Sequence, residues 1–259
     1  TVSGVDLIVG AKTGSLNLLL YSVFRIGSPT DNISWQAYRE IADADDVAWT
    51  IPISLGDSHK GYRVVGTTEA FFKYFSFGKK RRLACYKGEA FVGTFDAVLG
   101  SEVATALGYS MGTEVILAHG LASASFTKHE NQPFVVVGVL APTGTPVDHT
   151  IHVRLEGIEA IHAGGSKVPI GAFAPANRPT TNFSEPESIT AFMLGLKSRM
   201  STFNVQRQIN EFAGEPLMAI LPGVALSELW QTMSIFENVL RLISALVLLA
   251  AVLGMGAVL

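Results

Sequence analysis

The chain has a single cysteine, Cys85, among its 259 residues. One thiol excludes an internal disulfide framework and any cysteine-rich metal cluster. Charge is scarce as well: Asp, Glu, Lys and Arg make up 16% of the chain, against about 25% in ordinary soluble domains. Lys+Arg is 19 and Asp+Glu is 22, a formal net charge of -3. That balance leaves no electrostatic footprint for nucleic acid. Neither an internal repeat nor a low-complexity tract is present. Intrinsic disorder needs low hydrophobicity and high charge, and hydrophobic residues at 48% exclude it.

The abundant apolar residues are unevenly spread. Arg241 is the last charged residue, and residues 242–259 (LISALVLLAAVLGMGAVL) carry only Ser244 as a polar side chain. An uncharged apolar run of this length meets the usual threshold for a membrane-spanning helix. As a helix it reaches roughly 27 Å, close to the ~30 Å hydrocarbon core. A buried core helix is the alternative. Its position excludes a signal peptide, and the preceding LWQTMSIFENVLR is not the polar spacer that a GPI signal needs. The chain opens on Thr1 and closes inside the apolar run, as expected of a fragment of a longer membrane protein with an earlier transmembrane helix before Thr1.

Turn residues and periodicity divide the rest. Residues 5–9 read as a strand, and SPTDNIS as a loop. Ser34 is placed to cap a helix, WQAYREIADA. VAWTIPISLG and YRVVGT are expected to form a hairpin across a turn at residues 57–61. Residues 69–75 read as a short helix and FGKKRRLACYKG as a basic loop. FDAVLG reads as a strand, with Ser101 expected to cap the helix EVATALG and Gly108 to end it. TEVILAH, FVVVGVL and TIHVRL read as strands, the second buried. LASASFTKHEN is expected to be turn-like, APTGTPVDH a loop, residues 156–162 a helix and residues 163–187 a long loop. ITAFMLGLK and PLMAIL are strands flanking a helix with Met200, Phe203, Val205, Ile209 and Phe212 on one face. Pro222 and Gly223 are expected to break the chain. From Leu226, apolar residues recur at three- and four-residue steps, with no breaker before the tail. One long helix is expected to leave the soluble body and enter a bilayer. Strand, helix and insertion in this order predict an α+β fold with a core split in sequence.

Few motifs carry chemistry. Gly10-Ala11-Lys12-Thr13-Gly14-Ser15 misses the adjacent Gly-Lys of a phosphate loop and reads as a turn. Gly56-Asp57-Ser58-His59 resembles the nucleophile block of GDSL-type esterases, which also need an Asp-x-x-His. The nearest pair, Asp148 and His152, has one residue too many and lies mid-chain. His149, His152 and His162, with Asp148 and Glu159 nearby, are zinc-capable types. In an extended segment, however, His149 and His152 point to opposite faces. Lys79 to Arg82 form the one basic run, a solvated loop or a contact for anionic lipid. Cys85 reads as a small buried residue. No nucleophile, base and orienter assemble. The expectation is a binding or mechanical module with no catalytic, cofactor or metal residue.

The order of several segments resembles the extracytoplasmic domain of ABC-transporter permeases of the macrolide-exporter (MacB) and FtsX-like type. YRVVGTTEAFFKYF resembles that family's V-x-G-x-x-x-x-F-F segment, VLGSEVATAL its strand-into-helix element, and FVVVGVL its F-x-V-V-G-V-L strand. The exit helix is similar to the start of its second transmembrane helix. The resemblance implies a multi-pass inner-membrane permease with this domain on the periplasmic side. It implies two lobes: a split α+β lobe from residues 32–77 and 187–221, and an inserted, mainly β lobe from residues 88–165. Residues 1–31 would follow the first transmembrane helix, and residues 226–259 would form the exit helix. The implied partners are a second permease copy in a homodimer, a cytoplasmic ABC ATPase that binds the ATP, membrane lipid, and in some members a periplasmic adaptor. Family substrates include peptides, macrolides, lipoproteins and siderophores. The implied mechanism is mechanotransmission, in which ATP-driven movement of membrane helices moves the lobes. Two alternatives stand beside it: a membrane-anchored periplasmic hydrolase using Ser58 and a histidine, and an FtsX-like regulator of cell-wall enzymes that does not transport.

Overall fold

The computed structural model describes residues 4–91, 93–119, 132–162 and 185–258. The first elements are β1 (Leu7–Ala11), α1 (Ser15–Leu19), β2 (Ile33–Ser34), α2 (Trp35–Ala42), β3 (Val47–His59), β4 (Tyr62–Thr67) and α3 (Ala70–Tyr74). A π-helical turn, Leu20–Phe24, extends α1. The middle of the chain supplies β5 (Ser76–Phe77), β6 (Arg81–Arg82), β7 (Cys85–Gly88), β8 (Asp96–Leu99), α4 (Ser101–Leu107), β9 (Glu114–Val115), β10 (Ala118–His119), β11 (Phe134–Leu140), β12 (Thr150–Arg154) and α5 (Leu155–His162). The last part adds β13 (Ser188–Ile189), β14 (Ala191–Leu196), α6 (Thr202–Asn210), β15 (Leu217–Ile220) and α7 (Pro222–Val258).

One large mixed sheet runs in the order β15-β1-β14-β3-β4-β12-β8-β11-β7, with β10 added to β3 and β9 to β11. The pairs β4/β12 and β8/β11 are parallel, and the others are antiparallel. β3 joins two halves: residues 47–53 pair with β14, and residues 54–59 pair with β4. The half around β1 draws its strands from both ends of the sequence. This is the α+β architecture with a split core that the residue pattern predicts.

Side chains alternate across a strand with period two, and here both faces are covered. Ile8, Ile53, Val65, Val98 and Met193 face a cluster that also holds Leu18, Leu19, Phe71 and Ala225, from α1, α3 and the first turn of α7. Their neighbours Leu7, Val9, Phe192 and Leu194 face the opposite way, onto Tyr38, Ile41, Val205 and Ile209 of α2 and α6. In the other half, Ala97, Leu99, Ile151 and Val153 meet Val103, Ile158 and Ile161 of α4 and α5. Burial on both faces explains why FVVVGVL reads as a continuous apolar run.

Several local expectations are corrected. The turn at residues 57–61 is only two residues long. Asp57, Ser58 and His59 are buried in β3, and Lys60 and Gly61 both take positive φ, 48° and 85°. A two-residue hairpin needs that conformation at both central positions, which glycine adopts freely. Ser101 does not cap α4. The cap position is Gly100, which has no side chain to offer, and Ser101 is the first helical residue. A Cβ on Gly100 would lie 2.4 Å from the Val147 and Asp148 carbonyl oxygens, so no capping side chain fits there. The basic loop contains the small β5–β6 hairpin. Met200 and Phe203 are exposed, 93% and 72%: Met200 sits in a 3-10 turn, residues 199–201, ahead of α6, and Phe203 stands about 200° around the helix from buried Val205. Pro222 begins α7 instead of breaking the chain, since proline suits the first helical position. Ser34 does cap α2, accepting from Ala37 N at 3.1 Å, and Gly108 ends α4 with φ 66°. The expected turn-like segment 121–131 and most of the expected loop 163–187 lie outside the described residues.

Candidate functional site

Two features concentrate unusual geometry: the root of α7 and a cavity at the end of the π-helical turn that follows α1. α7 is one uninterrupted helix of 37 residues, roughly 55 Å long. Its stretch Pro222–Met255 is long and apolar enough to cross a membrane, and none of its most apolar part is buried. Only the first turns touch the body. Ala225 is 1% exposed and packs in the cluster of Leu18, Leu19 and Ile220, with Leu226, Val23 and Phe24 half-buried beside it. Ser15 Oγ, at the first residue of α1, donates to Glu228 Oε2 at 3.0 Å. From Trp230 onward the helix stands clear, with Trp230, Met233, Phe236 and Leu240 all exposed. Its last charged pair is Arg241 to Glu237, 2.6 Å apart at i,i+4 spacing.

The cavity has a volume of about 710 Å³ and lies at the end of the π-helical turn that extends α1. Arg25, Arg63, Glu102, His149, Phe24 and Tyr62 are among its walls. Arg25 takes left-handed φ 60° and ψ 27°, directly after the π-helical turn. Such a backbone is uncommon for a non-glycine residue and costs on the order of 1–2 kcal/mol. Arg25 Nη1 donates to the Ser22 carbonyl at 2.6 Å. Arg63, 8% exposed in β4, donates to the Gly27 carbonyl. Among the described residues neither arginine makes an ion pair. Burial, with the Arg63 charge adding to it, lowers Arg25 to about 10, and burial lowers Arg63 as well. At about 10 Arg25 stays cationic at neutral pH, and a guanidinium keeps its proton in proteins generally. Glu102 at the same cavity is held 3.0 Å from His149 Nε2.

Part of the wall, residues 144–146, belongs to a tied loop. Buried Asp148 accepts from Thr143 N (2.9 and 3.0 Å), Thr143 Oγ1 (2.9 Å) and Gly144 N (2.7 Å). This carboxylate, weighed from sequence as a metal ligand or triad member, closes its own loop.

Behind the cavity, His152 is fully buried and stacks on Phe71 with ring centroids 4.9 Å apart. The Thr150 hydroxyl gives its proton to the Val147 carbonyl at 2.9 Å. It must therefore accept from His152 Nε2, 3.1 Å away. That leaves Nδ1 a bare acceptor, and it has no hydrogen-bond partner. Burial, then the Arg25 charge, depress this imidazole to about 3. The Val98 carbonyl, which could bond only the protonated ring, pulls weakly the other way.

The three histidines flagged by sequence do not meet. His149 is on the surface beside Glu102, His152 is in the core, and His162 lies 3.5 Å from Asp57. The Asp57 hydrogen bond raises the His162 pKa, against the effect of burial. Among the described residues no cluster of three or more His, Cys, Asp or Glu could hold a metal ion. Ser58 is buried in β3, and its neighbour His59 has both ring nitrogens engaged, with Ile116 O at 2.7 Å and Tyr109 Oη at 2.8 Å. Nδ1 must donate to the carbonyl, so Nε2 accepts from the tyrosine and is not free to serve as a base. Gly10 and Ala11 are strand residues of β1, and Lys12 N donates to Pro216 O at 3.0 Å, so that segment is no phosphate cradle. Arg81 lies over the Phe77 ring of its own hairpin and Arg82 bonds the Lys73 carbonyl of α3, which pins part of the basic run to the body. Cys85 is half-buried, and burial followed by Glu89 raises its thiol.

Sequence reasoning missed Arg25, Arg63 and Glu228. One signal was present: a charged residue inside the apolar strand YRVVGT is unusual unless its charge is used or paired. Nothing in the sequence marks a left-handed Arg25 or a contact between Ser15 and Glu228.

Residues 6–212, most of the chain, match the family described as the MacB-like periplasmic core domain. Among solved structures, the chain is similar to the periplasmic region of MacB from Actinobacillus actinomycetemcomitans. The identity is 9%, with 89% of this chain and 94% of that chain covered and a TM-score of 0.51, a likeness of fold. The extracellular domain of the noncanonic ABC-type transporter YknZ from Gram-positive bacteria matches at 12% identity, with 83% of this chain and 98% of that chain covered and a TM-score of 0.47. No curated protein matches the chain.

Proposed function

The chain belongs to the family of MacB-like periplasmic core domains, and from that premise we propose that it is the periplasmic part of a non-catalytic permease subunit of an ABC-type exporter. It couples movement of membrane helices to movement of the periplasmic body. The observation that carries this reading is the root of α7. A helix that continues into an apolar, unburied stretch is gripped at its base by α1, which follows β1, a strand held between β14 and β15. A side chain as small as Ala225 lets the helix sit close on Leu18 and Leu19, so a displacement of α7 is delivered to the sheet.

In the proposed assembly, ATP is bound and hydrolysed by a separate cytoplasmic ATPase subunit, and two permease copies form a homodimer in the inner membrane. Residues 32–77 and 187–221 make one lobe, residues 88–165 the inserted lobe, and residues 226–259 the exit helix into the lipid. A periplasmic adaptor completes the path in those assemblies that use one. A three-glycine insertion between Gln231 and Thr232 tests the coupling in the full-length permease reconstituted with its ATPase. Glycine inside a helix costs about 1 kcal/mol per residue, enough to make a local hinge. The expected result is ATP hydrolysis that continues while substrate movement stops. A seven-residue helical insertion, close to two whole turns, should retain much more movement. Transport that survives the glycines would refute the reading, and an ATPase bound to no permease would refute the assembly.

A further inference from the structure

We propose that the cavity at the end of the π-helical turn binds a phosphate-bearing ligand, with Arg25 and Arg63 as its two charge partners. Arg25 and Arg63 both line one space of about 710 Å³, and neither is paired with a carboxylate among the described residues. Two like charges held together repel each other, and an arrangement that persists without an internal counter-ion is suited to an external one. Each guanidinium has five N–H donors in a planar fork that matches phosphate oxygens. The carbonyls of Ser22 and Gly27 leave most of those donors unspent.

The backbone points the same way. Arg25 is held in the left-handed region at the end of a π-helical turn. Strain of this kind and π-helical turns both concentrate at functional sites. The one acidic wall residue, Glu102, is engaged by His149 at the side of the cavity. Phe24, Tyr62 and Pro146 give the remaining wall an apolar character, so the phosphate is expected to carry an organic body. The volume lies within the range of small-molecule sites.

Two sources share this chemistry, a soluble phosphate ester and a lipid headgroup. The full chain in a neutral detergent would be titrated with glycerol 3-phosphate and, separately, with dihexanoyl phosphatidic acid below its micellar concentration; glycerol is the control. Saturable binding of either probe is expected, weakened at least tenfold in Arg25→Asn and Arg63→Gln. Binding of the ester assigns a soluble ligand, and binding of the phosphatidic acid alone assigns a headgroup. Arg25→Asn should also melt higher than the native chain without phosphate, because asparagine tolerates the left-handed backbone and the repulsion is gone. Its melting temperature should no longer rise when phosphate is added. Absence of binding by both probes, or binding unchanged in Arg25→Asn, would overturn the proposal, and so would a lower melting point for Arg25→Asn in phosphate-free buffer.

Discussion

Acid should destabilise the periplasmic body through one buried side chain. His152 is fully buried, and its ring is depressed from 6.5 to about 3. A group whose folded pKa lies below its unfolded pKa contributes fully above the unfolded value and loses that contribution as pH falls. Here the loss starts near pH 6.5 and is complete near pH 3. Each pKa unit corresponds to about 1.4 kcal/mol, so the whole range is worth on the order of 5 kcal/mol. At pH 7 almost none is lost, and at pH 5 about 2 kcal/mol is gone. The assay is urea unfolding of the full chain in detergent at pH 7 and pH 5, for the native protein and for His152→Leu. Leucine removes the titrating ring, while the Thr150 hydroxyl keeps its bond to the Val147 carbonyl. The native protein should lose about 2 kcal/mol more than the variant over that interval. The comparison cancels the opposing contribution of His162, whose pKa is raised, and that of His59, which is lowered. Equal losses in the two proteins would refute the reasoning, because they would mean that burial does not hold the folded ring neutral.

Two further substitutions test local structure. Asp148→Ala removes a carboxylate that holds the Thr143 and Gly144 amides and the Thr143 hydroxyl, and should cost about 2–4 kcal/mol in urea unfolding, since buried donors are left unpaired. Asp148→Asn should recover part of that loss. Ser34→Ala removes the cap of α2 and a contact to Glu215 Oε1 at 3.3 Å, and should cost about 1 kcal/mol, read as a lower urea midpoint at unchanged slope.

Local physics was legible before the structure. The continuous apolar run FVVVGVL and the alternating TIHVRL became β11 and β12, the caps at Ser34 and Gly108 held, and the apolar tail continued a helix that starts on the body. The sequence could not convey what depends on long-range register. Whether Asp57 to His59 belong to a turn or a strand is decided by distant partners: β10 pairs with Asp57 and Ser58, and β4 with Ser58 and His59, which carries β3 to its 13 residues. The exposure of Met200 follows from a 3-10 turn ahead of α6 that helical periodicity does not anticipate. The cavity needed four separate segments, at Arg25, Arg63, Glu102 and the Asp148 loop, to converge. Gly100 took the cap position from Ser101 because carbonyls about fifty residues later leave no room for a side chain.

The central claim is that α7 is a rigid rod fixed to the body. Hydrogen exchange on the full-length permease in a lipid nanodisc reads this directly at the amides of residues 226–241, between the body and the apolar stretch. Slow exchange throughout that segment, comparable with β1, is predicted with and without ATP on the partner ATPase. Fast exchange confined to residues 229–236 would reveal a hinge and would contradict the account.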